Sequence, residues 1–102
     1  LGSGGAGGLG GTGGSGQGGG IWNGTPNPLT GTPSTLTVRR STIVSNRADG
    51  GAAGSGGNAG LGQGGGIYIV PGGTVCVHLF TAIFGNDAST SDDDVFGVLC
   101  FI

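Results

Sequence analysis

The chain has 102 residues, 29 of them glycine, and its only charges are three arginines and five aspartates. So little positive charge excludes a basic nucleic-acid footprint and a polybasic membrane patch, and no apolar run is long enough to cross a bilayer as a helix. Few charges combined with several β-branched clusters also exclude a chain that is disordered throughout.

Residues 1–17 read Gly-Gly-x repetitively. Two readings stand side by side. One is a loop leading from a preceding coil. The other is a polyproline-II segment that pairs with the similar tract at 49–66, because glycine permits close backbone packing. The expected division is a Gly-rich loop at 1–17, strand-bearing coils at 18–97 with a Gly-rich insertion at 47–65, and a continuation of the end turn at 98–102.

The first strand signal is Gly16-Gln17-Gly18-Gly19-Gly20-Ile21-Trp22, which recurs as Gly62-Gln63-Gly64-Gly65-Gly66-Ile67-Tyr68. Alternating apolar runs follow each copy, Leu36-Thr37-Val38 in the first unit and Val75-Cys76-Val77 in the second. An Ile-x-x-Asn block closes each: Ile43-Val44-Ser45-Asn46, then Ile83-Phe84-Gly85-Asn86. These segments are short, β-branched or aromatic, and bounded by Gly, Pro, Asn and Thr, which marks strands. No window holds a 3.6-residue period, and glycine at this density penalises helix.

Similar strands recur only after a whole unit, so the natural partner of each is its copy. Parallel pairing of copies predicts an all-β, right-handed parallel β-helix of about two coils with three sheets, a third coil starting at Val95-Phe96. Ile21 is expected to stack on Ile67, Ile43 on Ile83, and Asn46 on Asn86 as an amide ladder. The second unit carries one extra residue around His78, Leu79 and Phe80. A bulge there keeps Val75 and Val77 in the core.

Gly18-Gly19-Gly20-Ile21-Trp22-Asn23, Leu36-Thr37-Val38, Ser41-Thr42-Ile43-Val44-Ser45-Asn46 and Gly64-Gly65-Gly66-Ile67-Tyr68 resemble the repeats of Gly-rich parallel β-helix proteins of planctomycete-like bacteria. The pattern is also loosely similar to repeats of polymorphic autotransporter passengers. The tail from Asn86 to Gly97 looks like the segment that closes such arrays. The resemblance implies a large, exported, adhesin-like parent.

The glycine triplets lack the Lys-Ser/Thr of a P-loop and the acidic residue of a dinucleotide site, so they read as turns before strands. Asp92, Asp93 and Asp94 are weak Ca²⁺ candidates, because the ion takes six to eight oxygens, but the EF-hand spacing is absent. The alternative is a charged turn that ends the sheet. No cofactor other than Ca²⁺ is suggested. His78 has Cys76 as its only near ligand, short of a zinc set. Cys76 and Cys100 either pair in an oxidising compartment or stay as thiols. Arg39, Arg40 and Arg47 either contact an anionic or sugar ligand or solubilise a sheet face.

The functional expectation is a structural or adhesive module of an exported protein at the cell surface, with no catalysis by this segment. Its expected partners are neighbouring coils of the same longer chain and possible glycans or surface polymer, without nucleic acid. The alternative is a fragment of a polysaccharide-active β-helix enzyme or a carbohydrate-binding solenoid. Such enzymes need paired carboxylates across a groove, whereas the acids here cluster in one turn. Ice binding is a third reading, with Thr35-Leu36-Thr37 as its one cue.

Overall fold

The structure, a computed structural model, describes residues 2–8, 10–24, 29 and 34–102. Among the described residues the secondary structure is all strand, without helix. In chain order the strands are β1 (Gly2–Ser3), β2 (Gly16–Gln17), β3 (Ile21–Asn23), β4 (Thr35–Val38), β5 (Thr42–Val44), β6 (Arg47–Asp49), β7 (Gly62–Gln63), β8 (Ile67–Ile69), β9 (Thr74–Val77), β10 (Ala82–Phe84), β11 (Asp87–Ala88), β12 (Val95–Phe96) and β13 (Leu99–Phe101).

Every pairing is parallel and joins a strand to its copy in the next unit. The result is five stacks: β3-β8-β12, β4-β9-β13, β5-β10, β1-β6-β11 and β2-β7. The expectation of three sheets is corrected to five. β6, β11, β2 and β7 hold two or three residues dominated by Gly, Ala and polar side chains, too short to show an alternation. One layer is β3 to β6, the next β8 to β11, and a partial third is β12 with β13. The molecule's smallest extent, 16 Å, matches three to four strand spacings of about 4.8 Å.

Ile21, Ile67 and Val95 stand in register, as do Leu36, Val75 and Leu99, and Ile43 stands beside Ile83. These rows form the apolar core with Val38, Ile69 and Val77. Ile67 and Val75, in the middle layer, are the largest fully buried side chains. Their counterparts above and below are only partly buried.

The corners repeat as faithfully as the strands. Gly18 and Gly64 hold left-handed backbone (φ 69° and 68°), and Asp92 does the same at the third copy (φ 59°). Arg40 and Phe80 share a second corner, Ser45 and Gly85 a third, all with positive φ. Glycine takes left-handed backbone without strain at Gly18, Gly64 and Gly85, whereas Arg40, Ser45, Phe80 and Asp92 adopt it as L residues.

The extra residue of the second unit is taken up in a turn, not in a bulge. Val38 pairs with Val77 before it and Thr42 with Ala82 after it. Between them the Thr81 N–H closes the longer turn on the His78 carbonyl at 3.2 Å. Val75 and Val77 are buried, as the register requires.

The two Gly-rich tracts pair with each other. Gly4, Gly7 and Gly10 donate N–H bonds to the carbonyls of Asp49, Ala52 and Ser55, and Gly13 and Gly16 to those of Asn58 and Leu61. Gly11 and Gly14 donate to Gly8 and Gly5, Gly51 and Gly54 to Gly14 and Gly11, and Gly57 and Gly60 to Gly54 and Gly51. A bond at every third residue follows the turn of polyproline II. The segments 4–8, 11–15, 50–54 and 57–61 therefore form a four-rod bundle on one side of the stacks. A Cβ on Gly54 would collide with the Gly8 carbonyl, and one on Gly4 with the Gly14 carbonyl.

Three boundaries change accordingly. The tract at 1–17 is not a loop, since it holds β1, β2 and two rods. The excursion runs over 50–61, because Arg47–Asp49 and Gly62–Gln63 are strands. Residues 98–102 do not prolong an end turn, because Leu99–Phe101 adds a third strand beside β9.

Candidate functional site

The Asp run is the place where chemistry was most expected. Asp92-Asp93-Asp94-Val95-Phe96 occupies the position held by Gly18-Gly19-Gly20-Ile21-Trp22 and Gly64-Gly65-Gly66-Ile67-Tyr68 in the layers before. The carbonyls of Asp92, Asp93 and Asp94 accept the N–H groups of Gly64 and Gly66, and Asp94 also that of Ile67. The run joins β11 to β12 and does not end the sheet, contrary to the reading of a closing turn.

The three carboxylates diverge. Asp93 accepts the Ala88 N–H at 3.0 Å, and Asp92 accepts the Ser91 hydroxyl at 2.9 Å. Asp94 accepts both the backbone N–H of Asn86, at 3.1 Å, and its side-chain amide, at 2.9 Å. Among the described residues no three His, Cys, Asp or Glu side chains gather where they could hold a metal ion.

Asp94 thereby completes a ladder. Asn46 donates its backbone N–H and its amide to Asn86 Oδ1 at 3.0 and 3.1 Å, and Asn86 donates the same two groups to Asp94. Asn86 also bonds the carbonyls of Ile43 and Phe84 and is buried. A carboxylate accepts without donating, so the third rung ends the chain of donors. A second buried amide, Asn23, donates to the carbonyls of Ser34 and Thr74 and ties the β3–β4 connection to β9. Sequence reasoning missed the place of Asp94 in the ladder and the tie made by Asn23. Aligning the Asp triplet under the Gly triplets would have found the first.

An aromatic row runs through one stack. Trp22, Tyr68 and Phe96 stand in register. The rings of Tyr68 and Phe96 stack at 4.5 Å with 7° between planes. Tyr68 is buried, and Trp22 is 51% exposed. Stacked rings present edges, so among these three the free aromatic surface is mainly that of Trp22.

Cys76 and Cys100 sit directly opposite each other on β9 and β13, with Cα atoms 4.2 Å apart, and form a disulfide. Of the two readings of these cysteines, the paired one describes the molecule. His78 lines a shallow cleft of about 190 Å³ with Leu79, Phe80, Thr81, Phe101 and Ile102. That is below the 300–1,000 Å³ typical of small-molecule sites. Its Nδ1 lies 3.4 Å from the Leu79 carbonyl.

The arginines do not converge. Arg39 and Arg40 occupy an exposed corner after β4, whereas Arg47 pairs with Asp49 on β6 at 2.8 Å. The hydrogen bond that Arg47 donates to the Asp49 carboxylate, then that carboxylate's charge, raises the Arg47 pKa above the ordinary value. No helix among the described residues is long and apolar enough to cross a membrane.

No family model matches the chain, and neither a curated protein nor a solved structure matches it.

Proposed function

We propose that the chain is a piece of a right-handed parallel β-helix that serves as a structural and adhesive module of an exported bacterial surface protein, with no catalysis of its own. The observation that carries this reading is the unbroken parallel register of copy on copy in all five stacks. A stack of that kind is a rigid, extensible scaffold, and solenoids present long surfaces to partners. The Cys76–Cys100 disulfide supports an oxidising, extracytoplasmic compartment. The partners that fit are further coils of the same design and glycans or other surface polymers.

Binding of the purified chain to intact cells, matrix and a glycan array tests the adhesive part. Saturable binding that survives Asp92, Asp93 and Asp94 substitution supports it; absence of binding to every surface leaves a scaffold alone. One observation favours a carbohydrate-contacting variant of this reading, namely the half-exposed Trp22 at the head of the aromatic row. Loss of glycan binding in Trp22→Ala with unchanged folding would select it. Cleavage of a polysaccharide, abolished with the Asp triplet, would move the reading to an enzyme.

A further inference from the structure

We propose that the Gly-rich bundle is closed after its second pair of rods, and that Ser89, Thr90, Ala53 and Ala59 close it against a further Gly-rich segment, from this chain or from another.

The second pair of rods copies the first bond for bond. Gly11 and Gly14 donate to the carbonyls of Gly8 and Gly5, and Gly57 and Gly60 donate to those of Gly54 and Gly51. Gly50, Ala53, Gly56, Ala59 and Gly62 are therefore the copies of Gly4, Gly7, Gly10, Gly13 and Gly16. Those five glycines of the first pair donate their N–H groups across to the second pair or its flanking residues. One layer on, the link from β11 to the Asp run is only residues 89–91, so no third pair of rods follows there.

Hydroxyls stand in for it at the two roots of the bundle. The Asp49 carbonyl accepts the Gly4 N–H at 2.8 Å, and the Leu61 carbonyl accepts the Gly16 N–H at 2.7 Å. Ser89 follows Ala88, the register partner of Ala48, and so stands one layer beyond Asp49. Its Oγ accepts the Gly50 N–H at 2.9 Å. Thr90 Oγ1 accepts the Gly62 N–H at 3.0 Å. The Thr90 and Ser91 N–H groups bond the Gly62 carbonyl, which seats the short link against the root. Two donors that faced carbonyls of a following segment in the first pair are thus satisfied by side chains in the second.

Between the roots the closure is steric. A Cβ on Gly7 would lie 2.9 Å from the Gly54 nitrogen, and one on Gly13 would collide with the Gly51 carbonyl. The rods meet because neither residue has one. Their copies are Ala53 and Ala59, and both are exposed. Their methyls stand where a third pair would have to approach to N–H···O distance, about 2.7–3.2 Å. Open rows of backbone donors and acceptors are templates for other chains; here methyls and hydroxyls blunt the row. The bundle is a finite wing on one joint of the stack, while β12 and β13 carry the stack on past it.

Insertion of a copy of residues 4–15 between Ser89 and Thr90 offers the bundle a third pair of rods. Amide exchange resolved by residue is compared in the native background and with Ala53→Gly and Ala59→Gly. The inserted glycines are expected to exchange at open-chain rates beside the alanines, and more than about tenfold slower beside the glycines. Equal rates in the two backgrounds overturn the proposal, whether both are fast or both slow. In the chain without insertion, Ser89→Ala with Thr90→Val is expected to speed exchange at Gly50 and Gly62 about tenfold or more, while Val75 and Val77 keep their protection. Unchanged exchange at both glycines overturns the proposal as well. Circular dichroism establishes that each variant keeps its strands. If the insertion prevents folding, the rates at Gly50 and Gly62 decide alone.

Discussion

The molecule holds itself together in two different ways on its two sides. On one side, β3, β4, β5 and their copies enclose Ile, Val and Leu rows, and the backbone is kept at side-chain distance. On the other, the four Gly-rich rods touch backbone to backbone, with N–H···O bonds at every third residue and no room for a Cβ at the contacts. Between them lie β6, β11 and β7, where Ala48 is fully buried and a Cβ on Gly62 would press on the Ala48 carbonyl. The section tapers from a core filled by side chains to one filled by main chain. Burial of apolar area drives the first side, at about 25 cal/mol per Å². The second gains about 0.5–1.5 kcal/mol per hydrogen bond and bears the extra chain entropy lost by ordering glycine. The rods are therefore expected to depend on the apolar stacks for their placement more than the stacks depend on the rods.

That asymmetry is open to test at its strongest point. Ile67→Ala empties the centre of the core, and a loss of about 2–5 kcal/mol is expected in chemical denaturation. Both regions should unfold with it, seen as simultaneous loss of amide protection in β9 and in the rods. Reduction of Cys76–Cys100 comes next. The bond closes a sequence separation of 24 residues, and its loss is expected to cost about 2–4 kcal/mol. Exchange of the Leu99–Phe101 amides should accelerate first, because β13 is held by one neighbouring strand only.

Gly54→Ala probes the other side. Its Cβ would fall on the Gly8 carbonyl, and displacing a tightly packed backbone costs about 1–3 kcal/mol. The expected outcome is local. Protection at Gly7, Gly11 and Gly57 falls, while Val75 and Val77 keep theirs. Equal loss in both regions would show that the bundle and the core form one cooperative unit, and the asymmetry would be gone.

How much of this was legible in the sequence follows the same divide. Where side chains do the packing, the pattern of side chains reports it: Ile21 with Ile67, Ile43 with Ile83 and Asn46 with Asn86 could be paired from the letters alone. Where the backbone does the packing, the letters are nearly uniform. Gly16 and Gly62 form a strand pair, and Gly8 and Gly54 hold a rod contact, yet all look alike in a Gly-Gly-x tract. The disulfide was half legible. Leu99-Cys100-Phe101 copies Val75-Cys76-Val77, and that alignment places the two cysteines opposite each other. It was obscured because the link between the second and third layers lacks the excursion present at 50–61, so the copies fall at an unequal interval.

The Asp triplet is the sharpest case of a conformation kept while its residues change, and it yields the smallest effect. Asp92 stands at φ 59° where its copies are Gly18 and Gly64. An L residue in left-handed backbone costs about 1–2 kcal/mol, less for Asp, whose side chain can bond locally. Here it takes the Ser91 hydroxyl. Asp92→Gly removes that cost but adds the entropy of glycine in the unfolded chain, about 0.5–1 kcal/mol. The two nearly cancel, and thermal melts should move the stability by no more than about 0.5 kcal/mol in either direction. Asp94→Ala, two residues on, should destabilise by about 1–3 kcal/mol, because the Asn86 backbone N–H loses its acceptor and the buried Asn86 amide loses one of its three. A large loss for Asp92→Gly with Asp94→Ala unaffected would mean that the run works through its first carboxylate and not as a third copy of the glycine turn.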